Sequence, residues 1–294
     1  MYDVLGIGNA IIDILALVDD DFLNEHNLNK STMHLTDQTK QNLILKDLDD
    51  PTIASGGSVA NTIATVAQLG LHSAFIGQTT DDKWGQYFDK GMLDIGVYTR
   101  LNILPDDGMS SSGTSVILIT PDGERTMNTH LGVSSLINVA CLNRELLENS
   151  KIVYLEGYLY DTAEAINAIN HAVEIAHESG SKIALSLSDS FCVDRHRHEF
   201  KKLISHVDIL LANEAEICSL FEIENQILSK DMICQFFAEL PSLVAITQSE
   251  RGVTLISNQN VTCIGTSVIE NPKDLTGAGD QFAAGFLYGI SNEW

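Results

Sequence analysis

The densest chemistry in the sequence is the run Asp274, Leu275, Thr276, Gly277, Ala278, Gly279, Asp280, followed by QFAAGFLYGI. Phe282, Phe286 and Ile290 recur at helical spacing, with Ala283, Ala284 and Gly285 between them, which predicts a helix opening at the glycine turn. The β-branched stretch 261–269 predicts a strand ahead of that turn. A strand, a small-residue turn and a helix N-terminus make an anion site: Gly277 and Gly279 permit close backbone approach, and first-turn N–H groups and the macrodipole favour negative charge. Asp280 beside such a hole would repel a phosphate unless it has a task. Taking a proton from an attacking hydroxyl, while Gly277, Ala278 and Gly279 stabilise the phosphoryl group in flight, is such a task. A helix cap is the plainer alternative.

Two further polar clusters lie near the N-terminus. Gly6, Gly8, Asn9, Ile11 and Asp13 follow the first predicted strand. The third glycine of a dinucleotide fingerprint is replaced by Ile11, and 14–18 reads as strand, so a dehydrogenase is disfavoured. Asn9 and Asp13 interrupt an apolar run and need partners, either sugar hydroxyls or turn amides. Gly56, Gly57, Ser58 and Asn61 open a predicted helix, where a ligand can rest on the backbone and the Asn61 amide can reach it. A plain helix entry capped by Ser58 is the alternative.

These residues need a frame. The chain has 294 residues, 44% hydrophobic and 19% charged, with only 5 prolines, which excludes a disordered or collagen-like chain. Short apolar runs at 2–7, 74–76, 151–155, 182–187, 208–211 and 243–246 alternate with helical patterns at 58–69, 83–93 and 162–178. That alternation predicts an α/β fold with a mostly parallel sheet covered on both faces, and ligands at the carboxyl ends of its strands. Strand-like pieces at 14–18, 33–35, 97–103, 114–119 and 125–128 lack intervening helices. They predict a small antiparallel sheet made from two insertions, about 14–36 and 97–128, in one domain spanning 1–294. A lid over the site and an ordinary edge sheet are equal readings of it.

Seventeen Lys plus Arg against 40 Asp plus Glu gives a net charge of −23. That excludes nucleic acid and an anionic membrane surface as partners, though not a nucleotide whose phosphates are neutralised locally. There are 5 cysteines, none spaced C-x-x-C, which argues against a disulfide framework or structural zinc and predicts a reducing, cytoplasmic setting. No signal peptide and no membrane span is predicted. His196 and His198 are expected to be surface residues rather than metal ligands. Nothing in the residues selects an oligomeric state.

Together, Gly277–Ala278–Gly279–Asp280 with its preceding Asp274, Leu275 and Thr276, and Gly56–Gly57–Ser58–Val59–Ala60–Asn61 resemble the two signatures of the ribokinase-type (PfkB) carbohydrate kinases. The resemblance covers the whole chain. It implies a three-layer α/β/α ribokinase-like core with a small β-sheet lid, and an ATP- and Mg²⁺-dependent kinase acting on a small nucleoside or sugar. Gly8, Asn9 and Asp13 are similar to the G-N-x-x-x-D of the adenosine kinase-like branch, which implies transfer to the 5′-hydroxyl of a purine nucleoside, adenosine first. Asp280 would be the base. Asp13, Gly57 and Asn61 would hold the ribose hydroxyls, with Asn9 and Gly56 also in the substrate site. Arg125, in Gly123–Glu124–Arg125, resembles the branch's lid arginine. Tyr158 and Phe191 fall where aromatics would sandwich the base, with Ile11 as an aliphatic face.

Asn213 and Glu216 match an N-x-x-E motif, which implies that they organise Mg²⁺ through its waters. Thr247, Ser249 and Gly252 resemble the T-x-G-x-x-G segment beside the nucleotide phosphates, with Ser249 where Gly is usual, and Thr276 joins them. Family members continue beyond the signature helix, so the chain reads as C-terminally truncated at Trp294. The rival readings are a sugar kinase of the same family, for ribose, fructose or 2-keto-3-deoxygluconate, and a truncated, inactive nucleoside binder.

Overall fold

A computed structural model describes residues 1–223, 228, 230–237, 241–257, 260–269 and 277–294. In chain order its strands are β1 (Tyr2–Ile7), β2 (Ile11–Leu17), β3 (Met33–Leu35), β4 (Thr52–Gly56), β5 (Ser73–Thr80), β6 (Tyr98–Leu104), β7 (Gly113–Ile119), β8 (Arg125–His130), β9 (Ser150–Glu156), β10 (Lys182–Ser186), β11 (Ile209–Asn213), β12 (Leu243–Thr247), β13 (Val253–Ser257) and β14 (Asn260–Ile264).

The larger sheet has the order β14-β13-β12-β11-β10-β9-β1-β5-β6. Strands β6 to β12 of that series pair in parallel, while β13 and β14 extend the edge antiparallel. All eight residues of β5 are buried, as a strand covered on both faces requires. Alternate residues supply two cores. Leu5, Ile7, Val153, Leu155 and Leu185 pack on one face with the helices Ala163–Ser179 and Ser190–Ile204. Val4, Phe75, Ile152, Tyr154 and Leu211 pack on the other with the helices Ser58–Gln68, Lys83–Asp94 and Ala278–Ser291. This is the expected α/β/α arrangement. Strand order reverses between β1 and β9, because the chain builds outward from β1 through β5 to β6 and from β9 through to β12. Such a switch point opens a crevice at the strands' carboxyl ends.

The smaller sheet has the order β3-β8-β7-β2-β4. It differs from expectation in four respects. It is mixed rather than antiparallel, because the strands of the two insertions meet side by side: β2 pairs parallel with β7, and β3 parallel with β8. The stretch expected to contribute lid strand at 97–103 forms β6 instead, pairing parallel with β5 at the edge of the main sheet. Val97 and Leu101 are buried in the main core, which outweighs the weak alternation of its neighbours. β4 joins the small sheet antiparallel to β2, although its sequence gave no clear apolar pattern. Helix Asp20–Glu25 interrupts the first insertion and helix Gln38–Lys46 follows it, capped by the side chains of Asp19 and Asp37 respectively. The acidic segment at 19–21 starts the first of these helices. The strand expected over 261–269 ends at Ile264, and residues 265–269 have no regular structure.

Candidate active site

The glycine turn enters the Ala278–Ser291 helix with Gly277 as its N-cap, at φ +73 in the left-handed region that glycine adopts without strain. No side chain caps this helix. Asp280 is therefore not the cap. Its carboxylate reaches instead to the neighbouring Ser58–Gln68 helix: Ser58 Oγ donates to Oδ1 at 2.7 Å and Asn61 Nδ2 donates to Oδ2 at 3.1 Å. Thr62 Oγ1 also donates to the Asp280 carbonyl at 3.2 Å. These bonds join signatures more than 200 residues apart in the chain and fix the carboxylate's direction. Asn61, expected at the ribose, thus holds Asp280.

A cavity of about 440 Å³ opens above the helix end, over the carboxyl ends of the central strands. Asn9, Ile11, Asp13, Gly57, Tyr158, Asn213, Glu216, Thr247, Gly277, Ala278, Gly279 and Asp280 all line it. Gly57 stands at φ +98, and a Cβ there would lie 2.3 Å from the Asn9 carbonyl. Gly56 does not line the cavity. It packs under Asp13, where any Cβ would overlap the carboxylate.

One central residue was not foreseen. Glu156 ends β9 and is fully buried. Its Oε1 accepts from Asn9 N and Asn9 Nδ2, both at 2.8 Å, and its Oε2 accepts from Val59 N at 2.9 Å. It clamps the β1–β2 turn to the start of the Ser58–Gln68 helix, across the switch point. In the sequence it closes an apolar run, Ile152 to Leu155, and nothing marks it except a carboxylate at a strand's carboxyl end. The clamp turns Asn9 so that its Oδ1, also buried, has no partner among the described residues. A buried orphan acceptor lining a cavity is suited to a ligand hydroxyl.

On the far side of the crevice, Asn213 and Glu216 satisfy each other. Asn213 N and Nδ2 donate to the Glu216 carboxylate at 2.9 and 2.6 Å, and Glu216 N donates back to Asn213 Oδ1 at 2.9 Å. Such saturated oxygens suit a hydrated cation better than a bare one. Among the described residues no His, Cys, Asp and Glu cluster forms a metal cage. His196 bonds Asp161 at 2.9 Å rather than pairing with His198.

Of the remaining expected residues, Ser249 and Gly252 lie in the tight turn between β12 and β13 and do not line the cavity. Ser249 has φ +50, which accounts for the glycine usual there. Arg125 opens β8 on the same strand face as Met127 and Thr129, which do line the cavity. Thr276 lies outside the described residues. Phe191 is displaced from the expected base sandwich. It sits at the first turn of the Ser190–Ile204 helix, 75% exposed and away from the cavity. Asp189 caps that helix through Cys192 N, which turns position 191 outward. Phe191→Ala should leave kcat/KM within about twofold of wild type, as surface substitutions do. A steady-state comparison checks it.

Carboxylates dominate the electrostatics. Burial raises Asp13 to about 6, and the charge of Asp280 adds to it. Burial also raises Asp280, against the hydrogen bonds from Ser58 and Asn61 that lower it. Burial lifts Glu156 to about 7, against the bonds from Asn9 and Val59, and lifts Glu216 to about 7, with Asp189 adding to it. Asp13 has to be ionised to accept a hydroxyl, so activity should fall as pH drops through about 6, and the upward shift of Asp280, the expected base, acts in the same direction. Stability should move the other way. Carboxyls raised on folding stabilise fully below their unfolded values near 4, and that contribution is lost as pH rises through about 6 to 7. The thermal midpoint is therefore expected to be higher at pH 5.5 than at pH 8, while kcat/KM is lower.

A doubly wound core whose crevice sets buried hydrogen-bond acceptors beside a glycine-opened helix N-terminus is an architecture suited to small-molecule phosphoryl transfer. Residues 28–294 match the pfkB family of carbohydrate kinases. The chain belongs to that family, in its adenosine kinase-like branch, and is a kinase. It is 24% identical to adenosine kinase 2 of Arabidopsis thaliana over 313 aligned positions, covering 99% of this chain and 88% of that protein. It is 22% identical to 5-dehydro-2-deoxygluconokinase of Geobacillus kaustophilus, covering 81% and 73%. The crystal structure of adenosine kinase from Sinorhizobium meliloti is 40% identical with a TM-score of 0.88, covering 99% of this chain and 88% of that one. A probable sugar kinase from Rhizobium etli is 35% identical with a TM-score of 0.88, covering 99% and 87%. Kinases of this family use ATP as phosphate donor. Among the described residues no helix is long and apolar enough to cross a membrane.

Proposed function

We propose that the chain transfers the γ-phosphoryl group of ATP to the 5′-hydroxyl of a purine nucleoside, adenosine first, in the cytoplasm. The observation that carries this reading is the division of the cavity's lining. Asn9 Oδ1, Asp13 and Asp280 supply hydroxyl acceptors, while Ile11, Met33, Leu35, Met127 and Leu131 supply an apolar wall. A ribose with a flat base uses both, whereas a free sugar leaves the apolar wall without a partner. The 40% identity to the Sinorhizobium adenosine kinase supports the same choice.

In this reading Asp280 takes the hydroxyl proton, and the N–H groups at Gly277, Ala278 and Gly279 receive charge on the transferring group. Arg125 approaches the phosphoryl group from the small sheet. That sheet acts as a lid: Met33 and Leu35 are half-exposed at 46% and 59%, and covering a bound base removes them from water. Mg²⁺ suits the hard oxygens of Asn213 and Glu216, held through water, and neutralises phosphate charge beside them. Thr247 flanks the nucleotide.

ATP consumption measured with Mg²⁺ against adenosine, inosine, guanosine, cytidine, ribose, fructose and 2-keto-3-deoxygluconate tests the proposal. Turnover of a purine nucleoside in preference to the sugars supports it. Turnover of a free sugar alone keeps the kinase and discards the base pocket.

A further inference from the structure

The cavity's lining includes one cationic side chain among the described residues, Arg195, and it plays no part in the chemistry above. It comes from the Ser190–Ile204 helix and meets Asp161, at the end of the short 3-10 turn Gly157–Asp161 that follows β9. Arg195 Nη2 donates to Asp161 Oδ1 at 3.0 Å, and His196 Nε2 lies 2.9 Å from the same oxygen. Both partners converge on Oδ1, which leaves Oδ2 open to another donor. Asp161 also lines the cavity, with its side chain about a quarter exposed.

The position of this pair follows from strand order. Asp161 follows β9, which neighbours β1 and so lies on the Asn9 and Asp13 side of the crevice. Asn213, Glu216 and Thr247 follow β11 and β12, two and three strands further along. Asp161 is thus on the acceptor side rather than the phosphate-donor side. It is also carried by a different element from the reacting pair: Asp280 opens the Ala278–Ser291 helix and is held by Ser58 and Asn61, whereas Asp161 ends the turn after β9. An acceptor-only carboxylate with a guanidinium beside it matches the six-position edge of an aminopurine, which offers an exocyclic N–H₂ next to ring-nitrogen acceptors.

Resting on the nucleoside reading, we propose that Asp161, braced by Arg195 and His196, is a specificity-determining residue that accepts a hydrogen bond from the 6-amino group of the purine. Purine riboside, which lacks only that amine, is the probe. A hydrogen bond to a charged partner at a partly exposed site is worth about tenfold or more in discrimination. Wild type should therefore show a kcat/KM for adenosine at least about tenfold above that for purine riboside. Asp161→Ala should bring the ratio to within about twofold of one by lowering the adenosine value alone, whereas Asp161→Asn, which keeps an acceptor oxygen, should retain most of it. A wild-type ratio near one overturns the proposal, as does a ratio that survives in Asp161→Ala. Loss of both activities together in Asp161→Ala, with Asp161→Asn showing no adenosine preference, also overturns it. Turnover of a free sugar and of neither nucleoside is a different failure, that of the nucleoside reading itself.

Discussion

Asp280→Asn lowers kcat by about 100-fold or more and leaves the acceptor's KM within about threefold, because the substitution removes a proton acceptor and little else. The site is built so that the experiment isolates this one property. Asp280 accepts from Ser58 Oγ and from Asn61 Nδ2. An asparagine can keep both links, with its carbonyl oxygen toward Asn61 and its amide donating to the Ser58 hydroxyl, which both donates and accepts. The Thr62 bond to the backbone carbonyl is untouched. Folding and the seating of the two helices should therefore survive. Removing the charge should also relieve Asp13, whose upward shift owes its second contribution to Asp280. The acid limb that remains in the residual activity should move to lower pH. Single-turnover rates with ATP and the best acceptor, taken across pH 5 to 8, measure both effects. A near-normal kcat would make Asp280 a cross-link between the two signature helices and nothing more.

What could be read from the sequence divides along a physical line. The parallel strands were legible because a strand buried on both faces needs an apolar run at its centre, as 74–76 in Ser73–Thr80 and 152–155 in Ser150–Glu156 are. The glycine turns were legible because Gly57 and Gly277 do what few other residues can. The small sheet was only half legible. β4 lies over Asp13 and near the Lys83–Asp94 helix, so its pattern is set by contacts far away in the chain rather than by its own alternation. Phe191 misled for a related reason. An aromatic after a strand is compatible with a stacking role, but the direction of its ring was decided by the cap that Asp189 places on the next helix. Asp161 and Arg195 carried no signal, since their meeting depends on how the Ser190–Ile204 helix packs over β9 and β10. Glu156 was hidden for the opposite reason: two of its three donors are backbone N–H groups, which any sequence supplies.

Glu156→Ala is expected to have the largest effect on stability of any single change in the site. It strips the acceptor from three N–H donors, Asn9 N, Asn9 Nδ2 and Val59 N, in a place that water does not reach. Each buried donor left unpaired costs about 1–3 kcal/mol, so the sum should be about 3 kcal/mol or more even with partial relaxation. Removing a buried carboxylate raised to about 7 recovers some desolvation cost at high pH, so the loss should be greater at pH 6 than at pH 8. Glu156→Gln separates clamp from charge. Its carbonyl oxygen can keep the two Asn9 bonds, but its amide then meets the Val59 N–H donor to donor, and the cost should be about 1–2 kcal/mol. Activity should follow the clamp, because Asn9 and the Gly57 turn it holds are the two segments expected to seat the acceptor. KM should rise in Glu156→Gln by about tenfold with kcat affected less, since Asp280 is positioned by other bonds. Denaturant unfolding at the two pH values, with acceptor KM for both variants, gives the result. An unchanged KM in Glu156→Gln, alongside the expected loss of stability, would confine Glu156 to holding the fold and leave the seating of the acceptor to Asp13 and the turn itself.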